Sequence, residues 1–204
     1  MVKKTGYLLV ILFFLVISLM AFYFDAEIIR GVSLIRNVVL NEFFLGITFV
    51  SSEIIMFFFL TSLFLWSENK RKWILPLWVS LLLTVIVSFL LKVWIQRLRP
   101  FQQGIVSTLP TLNSTNFLTW NFSFPSFQAM LVFAAIPILN KEFPRFRYFW
   151  IVFASLVAFS RLYFGLHFLS DVLIGGLIGY GIGFIIVKTE TKTKLFENIY
   201  KKIF

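Results

Sequence analysis

Cysteine is absent from the chain, and histidine occurs once, at position 167. Without thiols there are no disulfides and no thiolate metal sites. Any step that needs an imidazole falls on His167. Charge is scarce as well: 14% of residues are Asp, Glu, Lys or Arg, against roughly a quarter in soluble domains. Acidic residues are the rarer sign, 9 against 19 basic ones, for a formal net charge of +10. The remainder is 59% hydrophobic and 20% aromatic, the composition of a membrane protein. The basic residues lie in short clusters between apolar runs, so anionic lipid headgroups account for them and nucleic acid does not. With 204 residues and no break in composition, the chain reads as one all-α domain, 1–204, whose size goes into spanning a bilayer.

Six apolar segments follow one another. Tyr7–Phe24, Phe43–Trp66 and Trp73–Leu91 each come near or exceed the ~18 residues that a crossing needs. Ser126–Leu139, Tyr148–Ser160 and Leu166–Val187 carry polar groups at one end. The fourth and fifth reach spanning length only if Ser126, Gln128 and Arg161 are buried in protein. The first is too long for the core of a signal peptide and lacks a small-residue cleavage site, so a retained helix is expected. A polar stretch from Arg97 to Phe124 separates the third and fourth segments, with Pro100, Gly104 and Pro110 as breakers. Lys3 and Lys4, then Lys70, Arg71 and Lys72, then Lys141, Arg145 and Arg147, then Lys188, Lys192, Lys194, Lys201 and Lys202 share one side of a six-span arrangement. The positive-inside rule then sets both termini in the cytoplasm of a multi-pass protein, and turns the polar stretch and His167 outward.

Three polar groupings emerge on that outer side. Ser160-Arg161, His167 and Asp171 interrupt a stretch that otherwise reads as membrane, where ionisable groups are costly enough to be functional candidates. If Leu166–Val187 is helical throughout, His167 and Asp171 lie four apart on one face. The carboxylate then hydrogen-bonds one ring nitrogen and makes the other more basic. Arg161 offers a planar fork of donors suited to phosphate oxygens. Lys92 and Arg99-Pro100, at the end of the third span, bring two more cations. Pro125-Ser126-Phe127-Gln128 opens the fourth span as an N-terminal anion site would.

In sequence order, Lys92-x6-Arg99-Pro100, Pro125-Ser126-Phe127-Gln128 and Ser160-Arg161-x5-His167-x3-Asp171 resemble the three signatures of the type 2 phosphatidic acid phosphatase (PAP2) superfamily. The resemblance implies a six-helix membrane bundle and a metal-independent, cofactor-free phosphatase or diphosphatase acting on lipid phosphates. It also implies that His167 becomes phosphohistidine, that Asp171 orients it, and that Lys92, Arg99, Arg161 and Ser126 hold the phosphoryl oxygens. Cations aimed at those oxygens are what phosphoryl transfer chiefly needs.

The middle signature departs from the family, which has Gly-His where this chain has Phe127-Gln128. Glutamine can donate a hydrogen bond to a leaving group but cannot deliver a proton. A lipid alkoxide leaves poorly without an acid, whereas a lipid monophosphate leaving from a diphosphate is far less basic. The expectation is therefore a lipid diphosphate, polyprenyl diphosphate favoured. The alternatives are a lipid phosphotransferase with the same intermediate, and a non-catalytic membrane protein that binds lipid phosphates. Glu53, halfway along the second segment, reads as a structural carboxyl, with the alternative that it is an acid of the site. Asn113-Ser-Thr and Asn121-Phe-Ser fit the glycosylation pattern, and such triplets are common by chance.

Overall fold

No glycine or proline interrupts the chain between Tyr7 and Arg30, and the first helix runs well past its apolar stretch: α1 spans Val2–Leu34. The computed structural model describes residues 2–109, 112 and 121–203, the side chains of 2–15, 201 and 203 excepted. Pro110 and the Asn113 triplet lie outside the described residues. After α1 the chain turns by 118° into α2, Val38–Val50. Asn37 caps α2, its side chain accepting from the Leu40 amide at 3.0 Å. Arg36 pins the corner, donating to the carbonyls of Tyr163 and Ser107, each at 2.6 Å.

The expected second span, Phe43–Trp66, is not one helix. It breaks at Ser51-Ser52, and α3 restarts as Glu53–Leu65. Ser52 is extended, as an N-cap residue is, and Glu53 occupies the first turn of α3, where the helix dipole favours a carboxylate. Hydropathy runs straight across this joint, so only the Ser-Ser-Glu triplet marks it.

A 3-10 turn, Glu68–Trp73, leads into α4, Ile74–Ile95. Beyond the polar stretch come α5, Phe127–Glu142, α6, Phe146–Tyr163, α7, Leu169–Thr193, and α8, Leu195–Ile203. No strand occurs among the described residues. Two of these helices are by themselves long and apolar enough to cross a bilayer: α4 with its lead-in, Glu68–Ile95, and α7. Residues 16–34 of α1 with α2 form a bent pair that qualifies only together.

The centre of the fold is α5, where Ala129 to Leu139 are buried apart from Phe133. α7 lies against it through Gly175, Gly179 and Gly183. A methyl group at Gly179 would overlap the Met130 carbonyl, one at Gly183 the Ala134 carbonyl, and one at Gly175 would sit 2.8 Å from the Ser126 oxygen. Only glycine permits that backbone approach, the small-residue packing typical of membrane helices. From the other side α6 sends Trp150 into the core, its indole N–H donating to the Val132 carbonyl at 2.8 Å, which satisfies the ring's one polar atom. At the far end Glu190 accepts the Phe196 and Glu197 amides, both at 2.9 Å, and so starts α8.

The expected sixth span, Leu166–Val187, also starts later than its hydropathy. Asp171 accepts the Phe168 amide at 2.8 Å, a cap that fixes the helix start at Leu169. His167 therefore sits in the connection before α7, not on a helical face shared with Asp171.

Candidate active site

Five of the sequence candidates, Lys92, Arg99, Gln128, Arg161 and His167, line one cavity of about 750 Å³. Each arrives on a different part of the chain: the last turn of α4, the polar stretch, the first turn of α5, the last turn of α6, and the connection before α7. Helix ends meeting at one level let long side chains converge while their helices diverge. Apolar walls come from Phe57, Phe58, Leu81, Val85 and Leu131, so the cavity combines a cationic end with a greasy one.

The cations are held rather than dangling. Lys92 is 2% exposed, and its ammonium donates to the Phe122 carbonyl. Arg99 donates from Nε to the Asn121 carbonyl at 2.8 Å. Burial lowers its pKa to about 10, so it keeps its charge at neutral pH. Arg161 donates to Ser160 Oγ from Nε at 3.1 Å and from Nη2 at 2.9 Å. It also reaches Gln128 Oε1 through Nη1 and Thr48 Oγ1 through Nη2. The carbonyl end of Gln128 is thus taken by Arg161, and its amide end is what remains for a ligand.

His167 is 4% exposed, and its Nδ1 lies 2.6 Å from the Ser123 carbonyl. A carbonyl only accepts, so Nδ1 carries the proton and Nε2 keeps its lone pair. Burial, then the charges of Arg99, Lys92 and Arg161, push the imidazole well below its ordinary pKa. A neutral ring with a free nitrogen beside three cations is the form a nucleophile toward phosphorus requires.

Asp171 does not orient His167 by a direct hydrogen bond, contrary to the expectation. The closest approach, Nδ1 to Oδ2, is 3.9 Å, because the helix starts after His167 rather than before it. The carboxylate instead accepts the Ser123 hydroxyl, the Phe168 amide, and Arg97 Nη1 at 2.6 Å. It therefore fixes the residue whose carbonyl holds the imidazole. Arg97 bridges onward from Nη2 to Asp25 of α1 at 2.7 Å. Asp25 in turn accepts the Ser170 amide at 3.1 Å and the Ser170 hydroxyl. Asp25, Arg97 and Ser123 were not among the sequence candidates. An aspartate at the end of an apolar run was the available signal for Asp25, but nothing in the sequence ties it to residues more than seventy positions away.

Ser126 is fully buried and does not line the cavity. Its amide donates to the Asp171 carbonyl at 3.1 Å, which joins the opening of α5 to α7, and its hydroxyl is buried without a hydrogen-bond partner among the described residues. Glu53 and Thr48, by contrast, do line the cavity. The break at Ser51-Ser52 is what turns Glu53 toward it.

A family model described as the PAP2 superfamily matches residues 73–194, which run from the foot of α4 to the end of α7. An undecaprenyl-diphosphatase of Sulfolobus acidocaldarius is 30% identical over 135 residues, 64% of this chain and 62% of that protein's length. The phosphatidylglycerophosphatase B of Bacillus subtilis is 28% identical over 191 residues, 85% of this chain and 87% of its own. Among solved structures, the transmembrane PAP2-type phosphatidylglycerolphosphate phosphatase of Bacillus subtilis superposes with a TM-score of 0.72 at 26% identity, covering 91% of this chain and 96% of its own. Aquifex aeolicus LpxE gives a TM-score of 0.64 at 27% identity, covering 80% and 94%. The matched segment contains all three cavity cations, the histidine and the aspartate behind it, and the chain belongs to the PAP2 superfamily.

Proposed function

We propose that the protein is a membrane lipid phosphatase that hydrolyses a lipid-linked phosphate or diphosphate, polyprenyl diphosphate favoured, through a phosphohistidine on His167. The observation that carries this reading is the neutral imidazole in one cavity with Lys92, Arg99 and Arg161. In the first step Nε2 attacks phosphorus, and the bond from phosphorus to the leaving oxygen breaks. The cations stabilise the charge spread over the phosphoryl oxygens, a role that needs no metal ion. Ser123 holds the ring in register and Asp171 holds Ser123. Ser126 supports the start of α5 from behind the cavity. The Gln128 amide donates to the leaving group without protonating it, which suits a lipid monophosphate leaving from a diphosphate. The names of the relatives, covering diphosphates and monoesters alike, support the class of substrate.

The apolar walls suit a lipid tail that enters from the bilayer. We read six crossings, from α1, the α2–α3 pair, α4, α5, α6 and α7. Both termini are cytoplasmic and the cavity opens outward, following the lysine and arginine clusters.

The test is release of inorganic phosphate by purified protein from phosphatidate, phosphatidylglycerol phosphate and polyprenyl diphosphate, with chelator present. Turnover of the diphosphate well above the monoesters, abolished in a folded His167→Ala variant, is expected. Undiminished turnover in that variant would overturn the reading. Binding of these lipids without turnover would make the protein a non-catalytic binder, and phosphate appearing on a second lipid would make it a phosphotransferase.

A further inference from the structure

Once His167 carries the phosphoryl group, the chain has no imidazole left. Hydrolysis of that intermediate needs a group to take the proton of the attacking water. Among the described residues, the polar groups that line the cavity are Thr48, Glu53, Lys92, Arg99, Gln128, Arg161 and His167. The two arginines are already protonated, and Lys92 is held as a donor to the Phe122 carbonyl. The amide of Gln128 and the hydroxyl of Thr48 are not bases at neutral pH, and both oxygens already accept from Arg161. Glu53 is the one remaining acceptor with a free carboxylate.

Its setting fits the task. Glu53 begins α3 at the joint with α2, and its side chain is exposed to the cavity rather than packed away. Among the described residues it makes no hydrogen bond or ion pair, although it lies within electrostatic reach of the Arg161 guanidinium. The dipole of α3 favours a carboxylate at this position, and with no side chain bonded to it both oxygens are open to the cavity. It also lies outside the 73–194 segment that the family model matches, so nothing in the shared motif assigns it a role.

We propose that Glu53 is the general base that activates water against the phosphohistidine, an inference that rests on the phosphohistidine reading above. A water oxygen attacks phosphorus as its proton passes to the Glu53 carboxylate. The phosphorus–Nε2 bond breaks and its electron pair returns to the ring. Inorganic phosphate leaves, and Glu53 gives its proton to solvent. The first step with a diphosphate requires nothing of Glu53, because the leaving lipid monophosphate needs no acid.

The experiment uses polyprenyl diphosphate labelled with ³²P in the terminal phosphoryl group, with the full-length protein in detergent. The wild type should show a burst of acid-labile, base-stable phosphoprotein followed by steady turnover. Glu53→Gln should keep the burst at a wild-type rate and lose turnover by ~10²–10⁴-fold, the usual contribution of a positioned base. Labelled phosphoprotein should accumulate as a result. Glu53→Ala should behave alike and recover turnover when formate is added, a response that a merely structural role would not give. Steady turnover of Glu53→Gln equal to wild type would overturn the proposal. So would loss of the burst together with turnover, which would put Glu53 in binding or the first step. A wild type that forms no phosphoprotein yet releases phosphate would instead overturn the phosphohistidine reading, and this proposal with it.

Discussion

The arrangement behind His167 sets the size of the effect that Asp171→Asn should have. Asp171 Oδ2 receives the Ser123 hydroxyl and the Phe168 amide, while Oδ1 receives Arg97 Nη1 at 2.6 Å. An asparagine that keeps its oxygen toward Ser123 and Phe168 must turn its NH2 toward the guanidinium. The charge-assisted bond to Arg97 is then lost, at a cost of about 1.5–3 kcal/mol in stability, while Arg97 keeps Asp25 and Ser170. The imidazole, however, is bonded to a main-chain carbonyl that the substitution leaves in place. Removing a carboxylate bonded directly to a catalytic imidazole costs ~10⁴-fold, because the ring loses its tautomer. Here the loss in kcat/KM should stay near ~10–100-fold, or about 1.4–2.7 kcal/mol of transition-state stabilisation. The assay is phosphate release from polyprenyl diphosphate, with thermal unfolding followed in the same detergent. A ~10⁴-fold loss in a protein that unfolds at its usual temperature would refute the reasoning and return Asp171 to direct contact with the ring.

Other perturbations test other parts of the fold. Gly179→Ala forces a methyl group into the Met130 carbonyl and should destabilise by about 1–3 kcal/mol; unchanged thermal unfolding would mean that α5 and α7 are not in backbone contact. The single histidine gives a single imidazole signal in ¹³C-histidine-labelled protein. Because burial and the three cations lower its pKa, that signal should hold the neutral position from pH 7 to pH 6, whereas a midpoint near the ordinary 6.5 would show an open ring. With no native cysteine to interfere, Gln103→Cys should react with an impermeant thiol reagent in intact cells and Asn198→Cys should not, and the reverse pattern would invert the topology.

Residues of the cavity are legible in the sequence where their signal is local, and not where it depends on the path of the chain. Lys92, Arg99, Arg161 and His167 announce themselves as polar residues at the ends of apolar runs, and they do meet. The limits of α4, α5 and α6 follow hydropathy to within a few residues, but α1 runs on to Leu34, and two joints do not register in hydropathy at all. Ser51-Ser52 breaks a helix through capping preferences inside an unbroken apolar stretch. Asp171 halts α7 at Leu169 by accepting a main-chain amide, which removes His167 from the helix and changes its partner. Ser123 could not be paired with either residue in advance, since a polar stretch without periodicity has no face to predict. Asp25 and Arg97 join across more than seventy positions, and only the folded chain brings them together. Glu53 reads as structural because its depth relative to Lys92 is not legible in the sequence, and the helix break is what sets it at the cavity.

The glycine contacts between α5 and α7 have a mechanical consequence. Two helices whose backbones touch at three successive turns are interlocked against sliding, and parting them would forfeit every one of those contacts, so Gln128 on one and the Asp171 support on the other are held in fixed register. A cavity that must admit a lipid and release its product therefore has to widen elsewhere. The opposing wall is α3, with Ile54 and Phe58 largely exposed, and it is joined to α2 through two serines rather than a continuous helix. The rigid half keeps the nucleophile aligned, and the jointed half is where the cavity breathes.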